Sequence, residues 1–86
     1  MKVKIPTPLF SYTKNTGVVD ATGSTIDQVT HDLERQFPGV RFRMIDEQEK
    51  IRPHIKFFVN KEQTFDLKTP LSPKDELAIV QAFSGG

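Results

Sequence analysis

The segment between Gly23 and Gly39 places the tightest limit on what this chain can fold into. Within it, Ile26, Val29, Leu33 and Phe37 recur at helical spacing, while Asp27, Gln28, Asp32 and Gln36 fall on the opposite side. A helix with a single apolar stripe has one face to bury, and covering one face of a sheet satisfies it. Ser24 is the expected N-cap, with Asp27 three residues on in the acidic position of a capping box. Pro38-Gly39 stops the helix.

Strand patterns lie on both sides of that helix. Val3-Lys4-Ile5 alternates apolar and polar residues, with Lys2 and Lys4 on the wet face, until Pro6 and Pro8 interrupt any ladder. Gly17 opens a second short strand over residues 18–22, and Lys14-Asn15 sits near the turn of the hairpin that the two would form. Residues 40–52 are mixed and charged and read as a long surface connection with at most one short turn. Ile55-Lys56-Phe57-Phe58-Val59 is rich in β-formers and is closed by Asn60-Lys61. Its alternation puts Ile55, Phe57 and Val59 on one face, and Lys56 and Phe58 on the other. A short piece around Phe65 follows, then a turn-rich run over 69–75 and a last strand over 76–82 with Leu77 and Ile79 inward.

The order is two strands, a helix, then two or three strands. With the first and last strands side by side in the centre, this gives an α+β fold of the β-grasp type, a mixed sheet of four to five strands with one main helix. The expected organisation is a β-grasp domain over 1–82 and a flexible tail over 83–86.

Composition narrows the function classes. A chain of 86 residues suits one small domain with a compact core. Twelve basic against eleven acidic side chains leave a formal net charge of +1, without the basic excess of a nucleic-acid-binding domain. No apolar run approaches the roughly 20 residues that span a bilayer, and the Met1-to-Ile5 start lacks a signal peptide's apolar core. A cytoplasmic protein is expected, with neither nucleic acid nor membrane as a partner. His31 on the helix and His54 before a strand have no cysteine and no clear carboxylate partner, and make a poor metal site. Asp46, Glu47 and Glu49 read as a solvated loop whose spacing is not that of a calcium loop. No metal is expected. No serine–histidine–acid arrangement can be argued either, and the chain is not expected to be an enzyme.

The sequence ends Gly85-Gly86, and it contains no cysteine. At about 7% glycine per position, two final glycines arise by chance roughly once in 200 chains. Residues without Cβ atoms can enter a narrow channel in any backbone conformation, which would leave the Gly86 carbonyl open to attack. Adenylation would convert that poorly electrophilic carboxylate into a mixed anhydride, and sulfide or a persulfide displacing AMP would leave a thiocarboxylate on Gly86. A chain without cysteine cannot hold sulfur as a persulfide, so the terminal carboxylate is the obvious place for it. The sequence has no glycine-rich phosphate loop, so no cofactor is expected on this chain and ATP would be used by an activating partner. The alternative is an end without a role.

These residues are similar to the ubiquitin-like sulfur carriers, the family that includes the molybdopterin synthase small subunit and the thiamin sulfur carrier. The resemblance runs nearly end to end. It rests on Ile5-Pro6-Thr7-Pro8-Leu9, on Leu33-Glu34 with Phe37-Pro38-Gly39, and on Phe58-Val59-Asn60. It continues through Pro70-Leu71, Asp75-Glu76-Leu77 with Ile79-Val80, and the closing glycines, the last segment being the most specific. The opening motif and the Arg52 to Asn60 region look most like the carriers of cysteine-type biosynthesis. Lys74 stands where many members have glycine, Gln81 where proline is frequent and Ser84 where alanine is common.

The resemblance implies Gly86 as the adenylation and thiocarboxylate site, with Gly85 and Ser84 threading into partners. The implied partners are an ATP-dependent adenylating enzyme and a sulfur-accepting enzyme of cysteine, methionine, cofactor or siderophore biosynthesis, with a protease that releases product from the tail as an optional third. Phe58, Val80 and Phe83 are expected to form an apolar docking patch on the sheet face away from the helix, flanked by Arg52 and Lys56. Two other functions stay open at this point: a ubiquitin-like modifier joined through Gly86 to lysines, and a ubiquitin-fold interaction module.

Overall fold

The computed structural model describes residues 1–82; Phe83, Ser84, Gly85 and Gly86 lie outside the described residues. Five strands, β1 (Lys2–Lys4), β2 (Val18–Asp20), β3 (Ile55–Val59), β4 (Glu62–Thr64) and β5 (Glu76–Gln81), form one sheet in the spatial order β2-β1-β5-β3-β4. β1 and β5 are parallel and the other pairs antiparallel. The last strand is therefore central, with the first strand beside it, as a β-grasp requires.

Register sets the two faces. Val3 lies opposite Val19 and Leu77, Leu77 opposite Val59, and Ile79 opposite Phe57. Val3, Leu77 and Phe57 have no exposed surface and form the inner row of the core. Ile26, Val29 and Leu33 of α1 (Ile26–Gln36) are equally buried in the same core, so the apolar stripe packs as its spacing implies. Phe37, read as its last member, is the half-buried C-cap.

The N-cap is one residue later than expected. Thr25, not Ser24, accepts the Gln28 N–H through Oγ1 at 3.2 Å, and Gln28 Oε1 accepts the Ser24 N–H at 2.7 Å. The reason is the neighbouring loop: the Ser24 carbonyl accepts the Leu71 N–H at 2.8 Å, and Thr25 bridges Pro70, which keeps Thr25 extended at the helix start. The Leu67 carbonyl takes the Asp27 N–H at 2.8 Å, satisfying another donor of the first turn. Just before the helix, Gly23 has φ +154°, and a Cβ there would sit 2.7 Å from the Val29 nitrogen. Only glycine admits the chain at that point.

The reading of 40–52 as a surface connection is corrected. Val40–Met44 forms a second short helix, α2, and Val40, Met44 and Ile45 are buried in the core. Gly39, at φ +97°, turns the chain into it, and the Glu34 carboxylate accepts the Gly39 and Arg41 N–H groups at 2.8 and 3.0 Å. Arg41 is itself buried. Its guanidinium group donates to Thr30 Oγ1 at 3.0 Å, to Asp27 Oδ1 at 2.8 Å and to both Glu49 oxygens at 3.0 Å. One side chain thus ties α1, α2 and the loop after α2 together. Burial alone would lower the Arg41 pKa, but the hydrogen bonds and charges of Glu49 and Asp27 outweigh it and raise the value. The Arg41 hydrogen bond in turn holds Glu49 below the usual carboxylate range. Glu49 is therefore a structural anion rather than part of a merely solvated loop.

The piece expected around Phe65 ends just before it: β4 stops at Thr64, and Phe65 is 79% exposed. None of the described helices is long and apolar enough to cross a membrane.

Candidate functional site

The site begins where β5 ends. Gln81 lies opposite Ile55, and the Ala82 N–H donates to the His54 carbonyl at 2.8 Å. The root of the tail is thus held to the start of β3 by backbone bonds. Phe83, Ser84, Gly85 and Gly86, named above for the docking patch, the threading segment and the chemistry, fall beyond the described residues.

The register brings part of the named patch together. Val80 pairs with Lys56, and Phe58 with Ala78, so these four side chains share the outer face of the sheet. Val80 is 41% exposed and Phe58 is half-buried. Ala78 was missed in the sequence because its small side chain gives no signal alone; its place opposite Phe58 reveals it. On the same face, Lys4 reaches the Glu76 carboxylate at 3.1 Å. Arg52 has a different engagement. It donates through Nε to the Phe42 carbonyl at 2.7 Å, and its guanidinium carbon lies 4.6 Å from the Phe42 ring centroid. Its side chain clasps the end of α2.

Two segments that carried the resemblance meet at the opposite end of β5. Asn60 and Lys61 form the two-residue turn between β3 and β4, with φ of 49° and 75°, as a type I′ turn needs. The Asn60 side chain donates to Asp75 Oδ1 at 2.8 Å and accepts the Glu76 N–H at 3.0 Å. Asp75 Oδ2 accepts the Ser72 N–H at 2.8 Å; this bond first, then the one from Asn60, holds the carboxyl below its usual range. Lys74 sits in this turn at negative φ, and the Asp75 N–H to Ser72 carbonyl bond of 3.0 Å closes it. Lysine is accommodated there without glycine's conformational freedom. The Asn60–Asp75 pair clamps the strand that leads to the tail, a role that sequence spacing alone does not show.

A small polar cleft of about 240 Å³, lined by Pro8, Leu9, Tyr12, Arg43, His54 and Gln81 among others, lies beside the tail root. Arg43 donates to the Tyr12 hydroxyl at 2.8 Å across it. Metal-ligating atoms come together elsewhere: one each from Asp27, His31 and Glu49 lie within 4.8 Å of one another. His31 therefore does have carboxylate neighbours, contrary to the sequence reading. Arg41 already neutralises both carboxylates at hydrogen-bond distance, so a metal ion would have to displace a buried cation. These residues do not fit a metal centre.

The central β5, the main helix α1 that covers the sheet and the anchored end of β5 define a ubiquitin-like β-grasp protein. Residues 3–86 match the ThiS family. The sulfur carrier protein CysO of Mycobacterium tuberculosis is 32% identical over 89 residues, spanning 98% of this chain and 96% of the relative; the Mycobacterium bovis protein gives the same values. A solved complex of BexX and CysO from Amycolatopsis orientalis contains a chain that superposes with a TM-score of 0.91 at 32% identity, covering 99% of this chain and 98% of that one. The crystal structure of Mycobacterium tuberculosis CysO gives a TM-score of 0.89 at 30% identity, with 95% and 98% covered. The chain belongs to the ThiS family.

Proposed function

We propose that this protein is a sulfur carrier that works through the carboxylate of Gly86. The observation that carries this reading is the family match, which runs through Gly86 and is joined by CysO relatives aligned over nearly their whole length. The absence of cysteine supports it, because the chain has no thiol on which to hold sulfur. The Gly86 carboxylate attacks the α-phosphorus of ATP in a partner enzyme and expels pyrophosphate. Sulfide then attacks the carbonyl of the acyl adenylate, expels AMP and leaves a thiocarboxylate. Where a persulfide is the donor, the product is an acyl disulfide that a thiol must reduce to release the thiocarboxylate. In this scheme the chain supplies an acyl group and a docking surface, and catalysis belongs to its partners.

The partners in this reading are an adenylating enzyme that binds ATP and a biosynthetic enzyme that accepts the sulfur. Cysteine formation is the favoured destination, given the CysO relatives. Phe58, Ala78 and Val80, with Lys56 beside them, supply the docking face, and Ser84 and Gly85 thread the tail. Deleting Gly86, or adding one alanine after it, should abolish ATP–pyrophosphate exchange with the adenylating enzyme while the unfolding midpoint stays unchanged. Exchange that survives either change would overturn the tail mechanism. The same acyl adenylate would serve a modifier, which would be recognised by Gly86-to-lysine adducts on other proteins.

A further inference from the structure

Between residues 50–56 and the run 63–68 lies a second cleft, of about 720 Å³. Its floor is apolar: Ile55 is buried, and Ile51 and Leu67 are half-buried. Phe65 stands at its rim, 79% exposed, so its ring is left accessible and the fold gains little from burying it. The rim is cationic. Lys50, Arg52, Lys56 and Lys68 line it, and among the described residues none of them makes a salt bridge. The carboxylates that also line it are Asp27, Glu49 and Asp66. Arg41 binds the first two, and Asp66 accepts the Lys68 backbone N–H at 2.8 Å. Outside the cleft, Asp46 is held low first by the Lys50 backbone N–H and also feels the charges of Arg52 and Lys50. With Arg41 counted, five cations face the three lining carboxylates, a positive excess on a chain whose net charge is +1. β4, which contributes Gln63 and Thr64, is an edge strand that among the described residues pairs only with β3. Its outer backbone groups are open to a further strand.

We propose that this cleft is a second docking surface, adjoining the outer sheet face only at Lys56, for an extended segment of a protein partner with carboxylates on either side of an apolar side chain. The apolar anchor fills the floor beside Phe65, the carboxylates meet the four cations, and the backbone lies along β4. A nucleic-acid backbone would satisfy the rim but leave the aliphatic floor without an occupant. A second copy of this chain would bring the same four cations against themselves, a like-charge opposition that works against association.

The test is a nuclear magnetic resonance titration of the isotope-labelled full chain with a blocked synthetic peptide of alternating glutamate and leucine, beside the same peptide with lysine for glutamate. Amide shifts confined to 50–56 and 63–68, with the acidic peptide alone, are expected. The double variant Lys50→Glu/Lys68→Glu should bind the acidic peptide at least roughly tenfold more weakly and gain binding of the lysine peptide. Phe65→Ser should weaken the acidic peptide without admitting the other. A chain lacking Gly86 should bind like the complete one, so failure of the tail chemistry would leave this result standing. The proposal is overturned by an absence of shifts at 50–56 and 63–68, or by shifts centred on Phe58, Ala78 and Val80. It is equally overturned if the same amides shift when the protein alone is concentrated, or if a thymidine oligonucleotide binds the cleft more tightly than the peptide.

Discussion

Arg41 carries more of the structure than any other charged side chain described, because it meets Thr30, Asp27 and Glu49 at once from a buried position. Replacing it with methionine keeps most of the packing volume but leaves two carboxylates facing each other without a cation. Arg41→Met should therefore destabilise the protein by about 1–3 kcal/mol in urea unfolding. Adding Asp27→Asn and Glu49→Gln to that variant should recover part of the loss; additive losses would show that the charges are not the cause. The pair Phe57 and Phe58 separates stability from binding. Phe57 has no exposed surface, so Phe57→Ala should cost roughly 3–5 kcal/mol. Phe58→Ala should cost less stability and weaken binding of the adenylating enzyme, measured by calorimetry. The reverse ranking would contradict the assignment of faces. Those faces were readable from the alternation of 55–59, whereas Arg41 was not. A lone arginine in a charged stretch looks like a solvated residue until the helices that enclose it are in place.

At the level of elements, the legible ones were long or strongly patterned. α1 showed three apolar positions at helical spacing, with Phe37 at its C-cap continuing the stripe, and β3 and β5 showed clear alternation with β-branched and aromatic residues. α2 escaped notice because five residues cannot show a helical period, and because Arg41 and Arg43 interrupt its apolar positions. Its start depends on Glu34 folding back from α1, a contact between residues whose spacing follows no local rule. The N-cap was misplaced by one residue because Ser24 and Thr25 are both good caps, and the loop around Leu71 decides between them. The β3–β4 turn offers an element-scale test. Lys61 holds φ 75° without being glycine, a conformation that disfavours a side chain. Lys61→Gly should raise stability by about 0.5–1 kcal/mol, measured by the urea midpoint at unchanged slope. A loss of stability would mean that the lysine side chain contributes more than its backbone strain costs.

For the whole molecule, the order of strands was the legible part, because two strands, a helix and further strands leave few ways to cover one apolar stripe. The clamp between Asn60 and Asp75, residues 15 positions apart, was not, because it is a product of that order and not of local sequence. The tail chemistry rested on the final glycines and the missing cysteine, and the family match extends through the same end. Acid stability tests the polar framework as a unit. Asp32 is held low first by Arg35, Glu49 by Arg41, and Asp75 by the Ser72 N–H. Carboxylates with depressed folded-state values stabilise the fold above the unfolded carboxylate range, near about pH 4, and lose that contribution as pH falls through the folded values. The urea midpoint should stay level from neutral pH towards about 5 and fall below about 4; a rise on acidification would contradict these assignments. The central claim concerns the end of the chain, and intact-mass spectrometry with fragmentation tests it most directly. After incubation with ATP, sulfide and the cognate adenylating enzyme, the expected result is exchange of one oxygen for sulfur, located at Gly86. A chain of unchanged mass, or sulfur found on any other residue, would contradict the account.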